Sequence, residues 1–271
     1  MARKKFLFIA IFVGLALAVI SFIGGSVGAI ITGKEPLSIF TVSRPDVELA
    51  AGKPFPNLPI TNTMIAVWVT ILVLVGLFFA ATRRMKLIPT GLQNFVEFLC
   101  ETAANFIEGI VGKENGRRFF PVVVTIFLFV VMNALISLTP GFESIKLGNM
   151  PLLRNANTDI NVPLMLAMVS GIIVEYWGFK AKGVSYLKTF SGPAGPLEAI
   201  SHLVRIISFT FRLFGNMIAG LILTGVMIFI IPWVIPSVFY ALEAFFGFIQ
   251  ALIFGVLTLV FGYAAVMPAE E

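Results

Sequence analysis

A single arginine stands where moving ions, not making or breaking covalent bonds, is the chemistry its surroundings suit. In Ser208-Phe-Thr-Phe-Arg212-Leu-Phe-Gly-Asn216-Met-Ile-Ala-Gly220, Arg212 lies in an apolar run, and no charge follows it until Glu243. A guanidinium cannot shed its charge at ordinary pH, and placing one at a bilayer centre costs about 2.5–3.5 kcal/mol. Spacings of four put Ser208, Arg212 and Asn216 on one helix face. Gly215, Ala219 and Gly220 leave room for another surface to come close. On the last apolar stretch Glu243 and Gln250 are seven apart and share a face bordered by Gly247 and Gly255. An intramembrane carboxylate is by default a candidate proton carrier. Together these residues point to ion transfer past a fixed positive charge. Two plainer readings stay open: Arg212 near a helix end with its charge drawn to the headgroups, and Glu243 as an interfacial acid near Pro236.

Below the arginine, Glu198, His202, Arg205 and Ser208 continue the polar stripe at three- or four-residue spacings. Glu198 to Arg205 fits either a cytoplasmic helix end with i,i+4 pairing or the lining of an inner water path. Ser208 can bond its own i−4 carbonyl. Other chemistry is excluded by count: Cys100 is the sole cysteine and His202 the sole histidine, so no internal disulfide, cysteine cluster or histidine-pair metal site is available. Gly28-Ala-Ile-Ile-Thr-Gly33-Lys34 resembles a phosphate loop until Glu35 replaces the required Ser or Thr, and no strand–loop–helix pattern surrounds it.

The elements that must position these groups are membrane helices. Of 271 residues 58% are hydrophobic and 12% charged, with mean hydropathy +0.99, against about 25% charged in soluble domains. Only helices and closed barrels satisfy the backbone in lipid, and the apolar runs here are continuous, not alternating. The fold class expected is therefore an all-α integral membrane protein, one domain over 1–271, with about six hydrophobic helices and one amphipathic surface helix. The +5 net charge sits at helix ends and gives no reason to expect a nucleic-acid partner.

In chain order, 6–32 is an uncharged N-terminal helix, read as a retained anchor more readily than a signal peptide. Residues 33–61 are a polar, proline-rich external segment, and 62–266 is the core. Spans are expected at Asn62–Thr82, Phe119–Leu138, Asn161–Lys180, Leu197–Ile230 and Ser237–Val266. Between the first two lies an amphipathic helix, with Thr90-x-x-Gln93 as a capping box. Its apolar face is Leu92, Phe95, Val96, Leu99, Phe106, Ile107 and Ile110. Pro140–Asp159 is an external loop, Gly192–Pro196 a break and Pro232–Pro236 the last outer turn. Twelve lysines and arginines fall on the segments taken as inner and five on the outer ones, which places both termini in the cytoplasm. The 34 residues Leu197–Ile230 make a helix about 51 Å long, more than a bilayer core of about 30 Å, so it must tilt or leave the membrane.

The core Arg-Leu-Phe-Gly-Asn-Met on a serine-bearing helix followed by Ala-Gly resembles the signature of subunit a of F-type ATP synthases, the stator half of a proton channel. Gln250-Ala-Leu-Ile-Phe254 is similar to that family's last-helix motif, and Asn157-Thr-Asp-Ile-Asn161 to its entry into the fourth span. Asn133, before Leu138-Thr-Pro140, matches a family asparagine, with the spacing one residue longer. The likeness covers roughly Leu58 to Glu270. Family members carry a titratable residue either shortly after Ala-Gly or on the last helix. Here the first position is Leu221 and the second Glu243, where some members have histidine. Asp159 is expected to cap the fourth span or to act as a charge. Glu175, at a position usually apolar in the family, is expected to pair with Arg205 or line the inner path.

The resemblance implies a non-catalytic, ion-translocating subunit of the bacterial inner membrane, with no nucleotide site, cofactor or metal. Its implied partners are a ring of c subunits, peripheral-stalk b subunits and the rest of the ATP synthase. Protons are expected to enter from outside near Asn133, Asn157, Glu243 and Gln250 and to leave near Glu198, Ser208 and Asn216, with Arg212 separating the two paths. The sequence leaves H⁺ and Na⁺ both open. The competing readings are a stand-alone secondary ion transporter and a non-conducting assembly subunit of a respiratory complex.

Overall fold

The computed structural model describes residues 51–55, 58–139, 142, 145–147, 150–187, 195–230 and 235–267. The expected helix 6–32 and most of the external segment 33–61 lie outside them, as do 188–194 and 231–234, which hold most of the two expected breaks.

Thr61 opens the first helix, α1 (Asn62–Thr82), with its hydroxyl accepting from Met64 N–H at 3.3 Å, which satisfies one of the orphan donors of a helix start. Within α1, Thr70 Oγ1 donates to Ala66 O at 2.9 Å, so the hydroxyl needs no partner outside its own helix. Gly91, at φ 61°, precedes α2 (Leu92–Val111). The expected capping box does not form. Gln93 Oε1 instead accepts from Lys86 N–H, and its Nε2 donates to Lys86 O, both at 3.0 Å. The side-chain amide bonds both backbone groups of Lys86 in the incoming loop and so satisfies a donor and an acceptor at once. The apolar face of α2 is only half covered: Val96, Ile107 and Val111 are buried, while Leu92, Phe95, Phe106 and Ile110 are exposed.

A tight reversal at Gly112, φ 80°, leads into α3 (Lys113–Ser137). A Cβ at Gly116 would lie 2.8 Å from Glu108 Cγ and 3.2 Å from its Cα, so this close approach of α2 and α3 requires glycine. The loop beyond α3 contains a two-residue antiparallel hairpin, β1 (Lys146–Leu147) with β2 (Met150–Pro151), and a 3-10 turn at Ala156–Thr158. Next come α4 (Asn161–Lys182), a 3-10 turn at Gly183–Leu187, α5 (Gly195–Ile230) and α6 (Ile235–Val266).

The chain is an all-α integral membrane protein. Among the described residues, α1, α3, α4, α5 and α6 are long and apolar enough to cross a bilayer. The expected spans agree to within a few residues, except that α3 starts at Lys113, six residues earlier than the apolar run.

The chain divides into two units. The larger, Glu48–Ile218 with Glu243–Glu271, holds both clusters of buried apolar side chains. One joins Val130 and Ala134 of α3, Leu166 and Ala167 of α4, Phe209, Leu213 and Met217 of α5, and Ala251 and Phe254 of α6. The other joins Ile107 and Val111 of α2 to Phe119, Val123, Trp177 and Leu259. Phe119 and Trp177 stack at 4.4 Å between centroids. A Cβ at Gly262 would meet the Trp177 ring at 2.7 Å, so glycine there lets the indole lie against α6. In the smaller unit the described residues are the end of α5 from Ala219 and the start of α6 to Leu242. Thr224 is buried there among mostly exposed apolar neighbours.

Candidate functional site

Packing divides the polar stripe of α5. Phe209, Leu213 and Met217 recur at four-residue steps and are almost fully buried, which turns the opposite face outward. That face carries Ile200, Leu203, Val204, Ile207 and Phe211, and with them Ser208 and Arg212, both exposed. Arg212 makes no ion pair or hydrogen bond among the described residues. Ser208 makes no hydrogen bond among them either; the i−4 carbonyl bonds in this region belong to Ser201 and Thr210. Asn216, one turn above the arginine, is half-buried. Arg212 is thus presented at a surface, surrounded by apolar side chains, with its charge unmatched among the described residues.

On α6, Glu243 and Gln250 are both half-buried. Gly247, between them, is a point of close approach between α6 and its neighbours: a Cβ there would sit 3.0 Å from Ala134 Cβ and 3.2 Å from Met217 Cε. Gln250 makes no hydrogen bond to Arg212, Asn216 or Asn133.

Asn133 and Asn157 are brought together. Both are fully buried, and Asn133 Nδ2 donates to Asn157 Oδ1 at 3.1 Å. That bond leaves Asn133 Oδ1 and Asn157 Nδ2 without a protein partner. A buried acceptor and donor so placed are suited to hydrogen bonding with water. Around them lies a polar web that the sequence reading placed on an external loop. Asn155 Oδ1 accepts from Asn157 N–H at 3.0 Å, and Asn155 Nδ2 donates to Ser137 Oγ at 3.0 Å. Arg154 Nε donates to Thr158 Oγ1 at 3.1 Å, and Thr63 Oγ1 donates to Asp159 Oδ2 at 2.8 Å. Residues 154–159 are all buried. Asp159 does act at the start of α4, where its Oδ1 accepts from Asn161 N–H at 3.1 Å and from Asn161 Nδ2 at 2.8 Å. Of the missed residues, Arg154 and Asn155 had one signal in the sequence, the polar density of Arg154-Asn-Ala-Asn-Thr-Asp159, and Thr63, on α1, lies outside it.

Near the start of α5 the charged residues turn inward. His202 Nδ1 faces Glu175 Oε1, and His202 Nε2 lies 3.3 Å from Glu198 Oε1. Tyr186 donates to Glu175 Oε2 at 2.9 Å. Burial and the Glu175 carboxylate hold the Tyr186 hydroxyl well above the ordinary phenol range, so it stays a donor. Glu175 is met by histidine and tyrosine, and Arg205 lies over the Phe261 ring at 3.9 Å, in electrostatic range of Glu175 and Glu198. A cavity of about 340 Å³ opens between α4 and α5, lined by Ser170, Glu175, His202, Arg205, Ile206 and Phe209 among others. Cys100, on α2, is half-buried, and burial pushes its thiol up, which makes it a weak nucleophile. Among the described residues no group of three potential metal ligands is assembled.

The profile of the ATP synthase A chain family matches residues 64–262. The chain is similar to the ATP synthase subunit a of Helicobacter hepaticus, 35% identical over 199 residues, covering 70% of this chain and 83% of that one. It is similar to the subunit a of Aliarcobacter butzleri, 32% identical over 209 residues and covering 73% and 87%. With that of a Nitratiruptor species it shares 34% over 199 residues, covering 70% and 83%. The matched region contains α3, α4 and α5 whole and nearly all of α1 and α6, with the exposed arginine, the asparagine pair and the carboxylates Glu175 and Glu198, and this chain belongs to the ATP synthase A chain family, as a membrane-sector subunit of an ATP synthase.

Proposed function

We propose that this subunit is the stator half of an ion path, passing protons to and from carboxylates on a rotating ring of c subunits. The observation that carries the reading is Arg212: exposed on α5, surrounded by apolar residues and without an ion pair or hydrogen bond among the described residues. A charge held in a membrane segment at a cost of kilocalories faces water or an opposite charge, and a carboxylate on a partner chain supplies such a charge. Protons enter on the outer side by way of the Asn133–Asn157 pair, Glu243 and Gln250, and leave on the inner side past Asn216, Ser208 and Glu198. Arg212 blocks the direct route between the two and favours the ionised ring carboxylate as it passes. The peripheral-stalk b subunits hold this subunit against rotation. The subunit contributes positioning and electrostatics and makes or breaks no bond beyond proton transfer.

The outward face of α5 supplies the test. Cysteines at Ile207 and Phe211, flanking Arg212 on the exposed face, are expected to cross-link to cysteines placed beside the ring carboxylate. A cysteine at the buried Leu213 is expected not to. Cross-linking from Leu213 and none from Ile207 or Phe211 would place the ring on another surface.

The threading has its own check. In a Cys100→Ser background, cysteines at Lys53 and Lys146 are expected to react with an impermeant thiol reagent from the periplasmic side, and those at Lys86 and Lys182 from the cytoplasmic side, with both termini cytoplasmic. Labelling of both pairs from one side would overturn that orientation.

A further inference from the structure

We propose that Glu175, His202 and Glu198 form a proton-exchange station on the inner side, in which the imidazole carries protons between the cavity and the solvent-facing carboxylate. This rests on the ion-path reading above and names the groups that would work within it. The geometry has a direction. Glu175 and His202 line the cavity, and Glu198 does not. Glu175 Oε1 is shut off from solvent, and side-chain exposure is 29% for Glu175, 19% for His202 and 43% for Glu198. The two ring nitrogens point to different carboxylates, Nδ1 to Glu175 and Nε2 to Glu198. The imidazole therefore stands between the sheltered oxygen of Glu175 and the more exposed Glu198.

The cavity continues along α4 and α5 from Glu175 to Ser170 and Phe209, and Phe209 is three residues before Arg212. Its 340 Å³ would hold roughly ten waters at liquid density. The polar end at Glu175, His202 and Arg205 gives such water partners. Facing the imidazole are Glu175 from α4 and Glu198 from α5, with Arg205 of α5 in electrostatic range of both acids and Tyr186 of the 3-10 turn donating to Glu175. With His202 protonated and both acids ionised, the two negative charges are balanced by the imidazolium and Arg205; with His202 neutral, one negative charge is left over. A proton arriving from the cavity is thereby accepted without creating net charge.

The transfer balances as a relay. A proton leaves the Glu175 carboxyl and forms an N–H bond at Nδ1. The Nε2–H bond breaks, its electron pair stays on nitrogen, and the proton passes to a Glu198 oxygen and from there to water. A shift of tautomer resets the ring. Nothing is oxidised or reduced, and no co-reactant is needed.

The test uses the assembled complex in inverted membrane vesicles, with assembly followed by how much of this subunit purifies with the ring. His202→Gln retains a hydrogen-bonding side chain of similar reach but cannot carry a proton; His202→Ala opens space. Both are expected to lower ATP-driven proton pumping on the order of tenfold and to flatten its dependence on cytoplasmic-side pH. Added imidazole is expected to restore a large part of pumping in His202→Ala, and a non-imidazole buffer of the same pH is expected not to. Ser201→Ala, outside the cluster, is expected to pump normally. Normal pumping by assembled His202→Gln, or a defect in assembled His202→Ala that imidazole does not relieve, would overturn the station. If the histidine variants do not assemble, Glu175→Gln takes their place, and its normal pumping has the same consequence. Arg212→Ala in the same vesicles separates the two levels: lost coupling there with normal histidine variants removes only the station, whereas normal coupling removes the ion-path reading itself.

Discussion

Replacing Arg212 by alanine is expected to abolish ATP synthesis and ATP-driven pumping while hydrolysis by the detached soluble head continues. Two effects are combined in the one side chain. Its positive charge opposes a proton passing straight from the outer path to the inner one. It also lowers the energy of an ionised carboxylate brought beside it: at ~4 Å the pair gains about 4 kcal/mol for an effective dielectric of 20, against about 1 kcal/mol in bulk water. A bias of that size is close to a thousandfold, enough to discharge each ring site as it arrives. A dry, tight pair would hold the ring still, and the exposed setting of Arg212 is compatible with water sharing the contact. Arg212→Lys keeps a charge but loses the planar fork and can be neutralised by desolvation. Both variants are expected to be uncoupled, and Arg212→Ala is expected in addition to let an imposed pH gradient decay passively, Arg212→Lys less so. The measurement is gradient decay in vesicles with and without a reagent that blocks the ring carboxylate. An assembled Arg212→Ala complex that makes ATP at near-normal rate would return the arginine to a lipid-headgroup contact.

Glu243→Gln is the second variant with a large expected effect. Glu243 is half-buried on α6 and is the only acid of that helix. On α5 the position after Ala219-Gly220, where relatives can carry an acid, is Leu221. Removing the one ionisable group of the proposed outer path should slow proton flux on the order of a hundredfold with the complex still assembled, since glutamine keeps the size and hydrogen-bonding capacity of the side chain. Returning the acid to α5, as Leu221→Glu with Glu243→His, is expected to recover part of the flux. Normal pumping by Glu243→Gln would remove Glu243 from the path.

The sequence by itself determined the fold class and almost all of the spans, because lipid imposes a local rule. A run of about twenty apolar residues must close its backbone hydrogen bonds within itself, so composition alone locates α1, α4, α5 and α6. Arg212 was legible for the same reason: a charge in such a run is costly wherever it points. What composition could not decide is direction. Glu198, His202, Arg205, Ser208 and Arg212 form one stripe in the sequence, yet packing of Phe209, Leu213 and Met217 leaves Ser208 and Arg212 outward while His202 and Arg205 turn to their own chain. The helical repeat is not commensurate with a four-residue step, so a stripe of that spacing drifts around a long helix and its ends meet different neighbours. Tertiary structure also decided the partners that lie far apart in the chain. Glu175 meets His202 and Tyr186 in place of the expected Arg205, and Asn133 meets Asn157. Residues 154–159 follow the same principle. Their polarity marks them as an exposed loop, but buried polar groups are stable once each finds a hydrogen-bond partner, and Ser137, Asn133 and Thr63, which supply those partners, belong to other helices.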